Sequence, residues 1–113
     1  AKFSYLNFNV KKEGNEVMVE VDVLNNSSIE AKEVVQLYCY RLDTTNRPKK
    51  ELKAFTKINL KPNEKQTVKF VLKERDFFDF DPITKLWTLL EHNFQLAISK
   101  SSKEDIFVKD IKI

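Results

Sequence analysis

At 113 residues the chain has the length of one domain, with room for a single core and none for a second, so residues 1–113 are expected to fold as one unit. Its 42% apolar and 33% charged residues exclude a disordered charged tail, and no run approaches the roughly 18 apolar residues of a membrane-crossing helix. The net charge of +3 arises from 20 basic and 17 acidic residues scattered along the chain, too evenly to mark a nucleic-acid footprint; neither nucleic acid nor a membrane is an expected partner.

The N-terminus has no basic segment followed by an apolar stretch, so an export signal, if the parent protein has one, is expected outside these residues. One cysteine, Cys39, excludes an internal disulfide and a cysteine-based zinc cluster. The compartment stays open.

Val17, Val19, Val21 and Val23 alternate with the charged Glu20 and Asp22, which specifies a half-buried strand. Asn25-Asn26-Ser27-Ser28 follows as a turn, built from side chains that bond their own backbone. Glu33 to Arg41 is a second strand, with Val35, Leu37 and Cys39 on one face and Gln36, Tyr38 and Tyr40 on the other. Thr44, Thr45, Asn46 and Pro48 mark a loop. Beyond it Leu52, Ala54, Thr56, Ile58 and Leu60 alternate with Lys53, Lys57 and Asn59, which leaves Phe55 on the charged face.

Lys61-Pro62-Asn63-Glu64 is a turn in which Asn63 takes the unusual dihedrals, and the return strand sends Val68, Phe70 and Leu72 inward. Asp76 to Asp81, with three phenylalanines among carboxylates, predicts one short helical turn capped by Asp76 and plugging an end of the fold. Short strands then follow around Trp87, over Phe94, Leu96 and Ile98, and less cleanly over Phe107, Lys109 and Ile111.

Seven or eight strands at intervals of about ten residues, without a long amphipathic helix, specify an all-β fold. The expected form is a two-sheet antiparallel β-sandwich of immunoglobulin or fibronectin type III kind. Its expected core is Val17, Val19, Val21, Val23, Val35, Leu37, Val68, Phe70, Leu72, Trp87, Phe94, Leu96 and Ile98. A nucleophile with a base would have to be Cys39 with His92, the only residues of their types, yet Cys39 points inward and His92 sits in a predicted turn. Asp76, Asp79 and Asp81 lack the glycine bend and the ligand number of a calcium loop. No catalytic residue, metal or cofactor is therefore expected.

Several strings resemble one family in one order along nearly the whole chain. Asn25 to Tyr38, ending in Glu33-Val34-Val35-Gln36-Leu37-Tyr38, resembles the turn and EVVQLY strand of the C-terminal fibronectin type III-like domain of family 3 glycoside hydrolases. Arg47 to Phe55 is similar to the RP-x-KELKGF segment of that domain, and Leu60 to Glu64 to its LKPGE turn. Asp76-Phe77-Phe78, Trp87, Phe94 and the Ser101 to Ile106 tail fall where it has its DLSFYD, tryptophan, PGEF and SSRDI features. Family glycines are replaced by Ser27, Ala31, Ala54, Asn63, His92 and Ser99. At Ala54 and His92 a left-handed backbone would cost about 1 kcal/mol or more.

The resemblance implies a non-catalytic accessory domain of a β-glucosidase-like enzyme, whose aspartate nucleophile and glutamate acid/base lie in other domains. Its implied partners are the catalytic domains of the same parent chain, with any contact to sugar indirect. Arg47, Pro48, Glu51 and Phe55 are the expected docking residues, unless a bulge near Ala54 turns Phe55 into the core. A carbohydrate-binding module with exposed coplanar aromatics, or a cell-surface adhesion or spacer domain, stands as the alternative.

Overall fold

The computed structural model describes residues 2–41, 50–88, 92–101 and 104–113. Its strands are β1 Phe3–Glu13, β2 Glu16–Asn25, β3 Ala31–Arg41, β4 Lys50–Leu60, β5 Lys65–Lys73, β6 Asp79–Asp81, β7 Leu86–Thr88, β8 Asn93–Ser101 and β9 Glu104–Lys112, with a 3-10 turn at Glu74–Phe77. One sheet has the order β1-β2-β5 and a second the order β4-β3-β8-β9, every pairing antiparallel. Strands β6 and β7 form a separate hairpin. The two larger sheets face each other across one apolar core, the two-sheet sandwich that the alternation demands.

Each inner face is the apolar phase of its strands. Val17, Val19, Val21 and Val23 are fully or almost fully buried, as are Val35, Leu37, Phe94, Leu96 and Ile98. Val68, Phe70 and Leu72 complete the opposite layer. Phe77, at the end of the 3-10 turn, is fully buried 4.9 Å from the Phe94 ring centroid and plugs one end as expected. Asp76 does not begin that turn. It is the third residue, and its carboxylate accepts the Lys73 backbone N–H at 2.8 Å, closing the turn from inside.

Three further readings of alternation are corrected. Trp87 is 69% exposed, because it belongs to the β6–β7 hairpin opposite Phe80 and to neither core sheet. Leu52 points outward and Lys53 inward, because the β3–β4 register shifts between Leu37 and Tyr38: Leu37 pairs with Ala54 but Tyr38 with Leu52. The bulge near Ala54, considered as the alternative that would turn Phe55 inward, is thus present, yet it reverses Leu52 and leaves Phe55 outside. Strand β1 is absent from the alternation reading. A register break between Leu6 and Asn9, with Asn7 at φ 56°, moves the inward phase from Phe3 and Tyr5 to Phe8 and Val10.

The turns work with one glycine. Gly14 takes φ +58° at the first central position of the β1–β2 hairpin, as a two-residue loop requires. Asn63 takes φ 63° in the β4–β5 turn. Ala54 does not have positive φ, so the family glycine lost there leaves no left-handed strain.

Asn25 replaces glycine chemistry with hydrogen bonds. Its fully buried side-chain amide donates to Ile29 O and Leu60 O, both at 2.9 Å, and its oxygen accepts Ser27 N–H at 2.9 Å and Ser27 Oγ at 2.6 Å. Its backbone N–H donates to Glu64 O at 3.0 Å, and its carbonyl accepts Asn63 N–H at 2.8 Å. One residue thereby ties the β2–β3 connection to the β4–β5 turn. Asn25→Ala should cost about 3 kcal/mol, because it leaves two carbonyls and one amide without that partner. Urea denaturation of the two proteins measures the difference, and a loss below about 1 kcal/mol would contradict the clamp.

Candidate docking face

The outer face of the β4-β3-β8-β9 sheet is ordered by register. One cross-strand row runs Leu52, Tyr38, Ala97, Val108; its neighbours run Phe55, Gln36, Ser99, Asp105 and Lys50, Tyr40, Gln95, Asp110. Residues directly opposite share a face, so these twelve side chains lie on one side of the sheet.

The polar members bond one another. The Asp105 carboxylate accepts Ser99 Oγ at 2.6 Å, Tyr40 Oη at 2.6 Å and Lys50 Nζ at 3.0 Å. Lys50 Nζ also lies 4.4 Å from the Tyr38 ring centroid and 5.3 Å from that of Tyr40. This cover, with the Tyr38 Oη bond to Gln36 Oε1 at 2.6 Å, leaves Tyr38 only 8% exposed although it points outward. Gln36 Nε2 donates in turn to Lys100 O at 3.1 Å.

Partial burial pushes the Asp105 carboxyl up, but its three donors together outweigh that and hold it below the usual carboxylate range. Burial, then the bond to Asp105, raises the Tyr40 phenol. Burial works against the Lys50 ammonium, and its bonds to Asp105 and Tyr40 hold it above the ordinary lysine value. Among these neutralised polar groups, Leu52, Phe55 and Val108 stay about half exposed. A rigid face with apolar patches between satisfied polar groups matches the make-up of protein–protein interfaces.

The sequence-derived docking residues separate. Phe55 is 59% exposed on this face. Glu51 pairs with the buried Cys39 on the other side of β4, and its carboxylate binds Lys53 Nζ at 3.1 Å. Lys53 Nζ in turn donates to Asp76 O at 2.6 Å and lies 5.9 Å from the Phe77 ring centroid, so this ion pair closes the sandwich end. Arg47 and Pro48 lie outside the described residues. Leu52 and Val108 escaped the sequence reading, the first because the bulge inverts its phase and the second because β9 alternates poorly.

Among the described side chains, which do not include that of Asp79, the other candidate chemistries do not converge. Cys39 is buried in the middle of the sheet, while His92 is exposed beside Ile113 at the end of β8. Asp76 and Asp81 each accept a nearby backbone N–H, from Lys73 and Ile83. A shallow open groove of about 400 Å³ between β4 and β5 is lined by Phe55, Thr56, Gln66, Thr67, Val68, Lys69 and Phe70, without a carboxylate.

The sequence profile of the fibronectin type III-like domain matches residues 33–102, more than half of the chain. Thermostable beta-glucosidase B of Acetivibrio thermocellus is 32% identical over 99% of this chain and 16% of its own. Beta-glucosidase BoGH3A of Bacteroides ovatus is 37% identical over 76% of this chain and 12% of its own. Among solved structures, a GH3 beta-glucosidase of Bifidobacterium adolescentis superposes with a TM-score of 0.91 at 31% identity, covering 99% of this chain and 17% of that one. The chain thus spans less than a fifth of the length of these relatives.

A carboxyl held below its ordinary range stabilises the fold fully above that range, and the contribution is lost as pH falls through the folded value. Wild type should therefore exceed Asp105→Asn in denaturation midpoint at neutral pH, with the gap closing below the ordinary aspartate range. Midpoints measured in urea across acid pH test this; a gap independent of pH would contradict the three-donor arrangement.

Proposed function

Because the chain belongs to the fibronectin type III-like domain family, in the form shared with family 3 β-glucosidases, we propose that residues 1–113 are one non-catalytic accessory domain of such an enzyme. The domain packs on the catalytic domains and either stabilises them or forms one rim of the active-site entrance. The observation that carries this reading is the outer face of the four-stranded sheet: Leu52, Phe55 and Val108 are exposed on a surface whose polar groups already bond one another. Burying those apolar groups against a neighbouring domain is favourable at about 25 cal/mol per Å². Phe55 is the anchor. Arg47 and Pro48, outside the described residues, are proposed as docking residues on their chemistry alone, since a guanidinium can meet a carboxylate bidentately. Glu51, on the other side of β4, is held by Lys53 and supports the strand that carries Phe55.

In this proposal the chemistry of glycoside hydrolysis belongs to the other domains of the enzyme. A retaining mechanism needs two carboxyl groups about 5 Å apart across a sugar-shaped cleft. The β4–β5 groove presents threonine, glutamine, lysine and phenylalanine instead. Contact with sugar, where it occurs, is through the partner domains.

Two outcomes are expected. The isolated chain should give no turnover of aryl β-glucosides above buffer; activity that follows the folded chain through purification would refute the accessory role. Phe55→Ser should change the isolated chain's stability by no more than about 0.5 kcal/mol, while the full enzyme carrying it inactivates faster on heating. Equal heat inactivation of the two enzymes would remove Phe55 as the anchor.

A further inference from the structure

Strands β4 and β5 each end their sheet, so along one side of the sandwich two terminal strands lie beside each other with the open groove between them. Val68 and Phe70, both buried, form its floor, and the exposed Phe55 borders it. The hydrogen-bond phase of β5 is fixed by the two ends of its ladder with β2. Asn25 N–H donates to Glu64 O at 3.0 Å at one end and Glu74 N–H to Asn15 O at 2.8 Å at the other, both in the unbroken register that pairs Val21 with Val68. Antiparallel pairs alternate between those that exchange backbone bonds and those that do not, so Gln66, Val68, Phe70 and Leu72 bond β2. Thr67 and Lys69, between them, aim N–H and C=O away from β2, to the side where among the described residues no strand pairs with β5. Such an edge is a template for one more strand.

We infer that the β5 edge takes up an extended segment from the remainder of a longer β-glucosidase chain, which adds as a fourth strand to the β1-β2-β5 sheet, an inference that rests on the accessory-domain reading. Side chains on one face of that segment lie beside Val68 and Phe70, in the groove that Phe55 borders, and are apolar; those on its other face lie beside Thr67 and Lys69. Lys69 Nζ reaches Glu20 at 3.8 Å, the far limit of an ion pair, and is about half exposed, while no carboxylate lines the groove. An acidic residue opposite Lys69 therefore completes the pairing. A second copy of this chain fits badly, because Lys65, Lys69 and Lys73 share the outer face of β5 and two such edges repel. The same polypeptide fits well: the matched relatives carry more than four-fifths of their residues outside the region shared with this chain. A tethered segment acts at roughly millimolar effective concentration, well above that of a second molecule in dilute solution.

Hydrogen exchange of single amides, resolved by fragmentation in the mass spectrometer, tests this without a mutation. In the isolated chain exchange should alternate along β5, slow at Val68 and Phe70 and fast at Thr67 and Lys69. In the full-length enzyme the alternation should vanish, with the Thr67 and Lys69 amides slowed about a hundredfold. Alternation that persists in the full-length enzyme would overturn the inference. Hydroxyl-radical labelling of Leu52 and Val108 then separates the two readings: slower labelling than in the isolated chain leaves the docking face intact, and equal labelling overturns the accessory-domain reading as well. Slow exchange at Thr67 and Lys69 in the isolated chain would also overturn the inference, assigning the edge to a second copy if it appears only at high concentration and to this chain itself if it persists on dilution.

Discussion

The sandwich depends on the buried amide of Asn25. A β-sandwich closes only if the connections between its sheets hold the inner faces in register, and such connections ordinarily rely on glycine for tight backbone paths. This chain has one glycine, placed in the β1–β2 hairpin and remote from the crossing points. At the end where β2 leaves one sheet for the other, Asn25 uses both amide hydrogens and its oxygen on Ile29, Leu60 and Ser27, while its backbone holds Asn63 and Glu64. A fully satisfied buried polar group of this kind specifies geometry that apolar packing alone leaves free. Two sheets are thereby fixed over the valine and leucine layers that provide most of the driving force.

With both inner faces committed to that core, the two outer faces show how the domain meets its surroundings. Outside the β1-β2-β5 sheet, Glu20, Asp22, Thr67 and Lys69 form a charged surface in which Leu6 lies opposite Asp22 and Val71 opposite Met18, as is ordinary for solvent. The other outer face differs in kind. Ser99, Tyr40 and Lys50 converge on Asp105, both tyrosine rings lie near the Lys50 ammonium, and Leu52, Phe55 and Val108 are about half exposed. The asymmetry between the faces follows from the sequence phase of β3, where Tyr38 and Tyr40 occupy the positions that Glu20 and Asp22 hold in β2.

Legibility in the sequence followed the continuity of alternation. The valine series of β2, the inward residues of β3, β5 and β8, the positive φ of Asn63 and the phenylalanine plug were all readable, because burial on one face of a strand imposes a period of two. Where the backbone inserts an extra residue the period breaks, and reading fails locally: Leu52 and Lys53 exchange sides at the β4 bulge, and β1 disappears into its phase change at Asn7. Trp87 was misassigned for a different reason. Local pattern identifies a strand but not the sheet to which it belongs, and among the described residues β7 pairs with β6 in a separate hairpin. Of the docking face, Phe55 was readable as an aromatic in the charged phase of β4. Its neighbours were not, since Lys50, Tyr40, Ser99 and Asp105 meet only through pairing of strands distant in sequence.

The central claim, that this domain acts by contact with catalytic domains, is tested most directly by producing the chain and the remainder of the β-glucosidase as separate polypeptides and sedimenting the mixture. One boundary of one-to-one stoichiometry at micromolar concentration, with glucosidase activity confined to the remainder and the complex, is the predicted result. Two boundaries that sediment independently at every ratio, from folded partners, would contradict it.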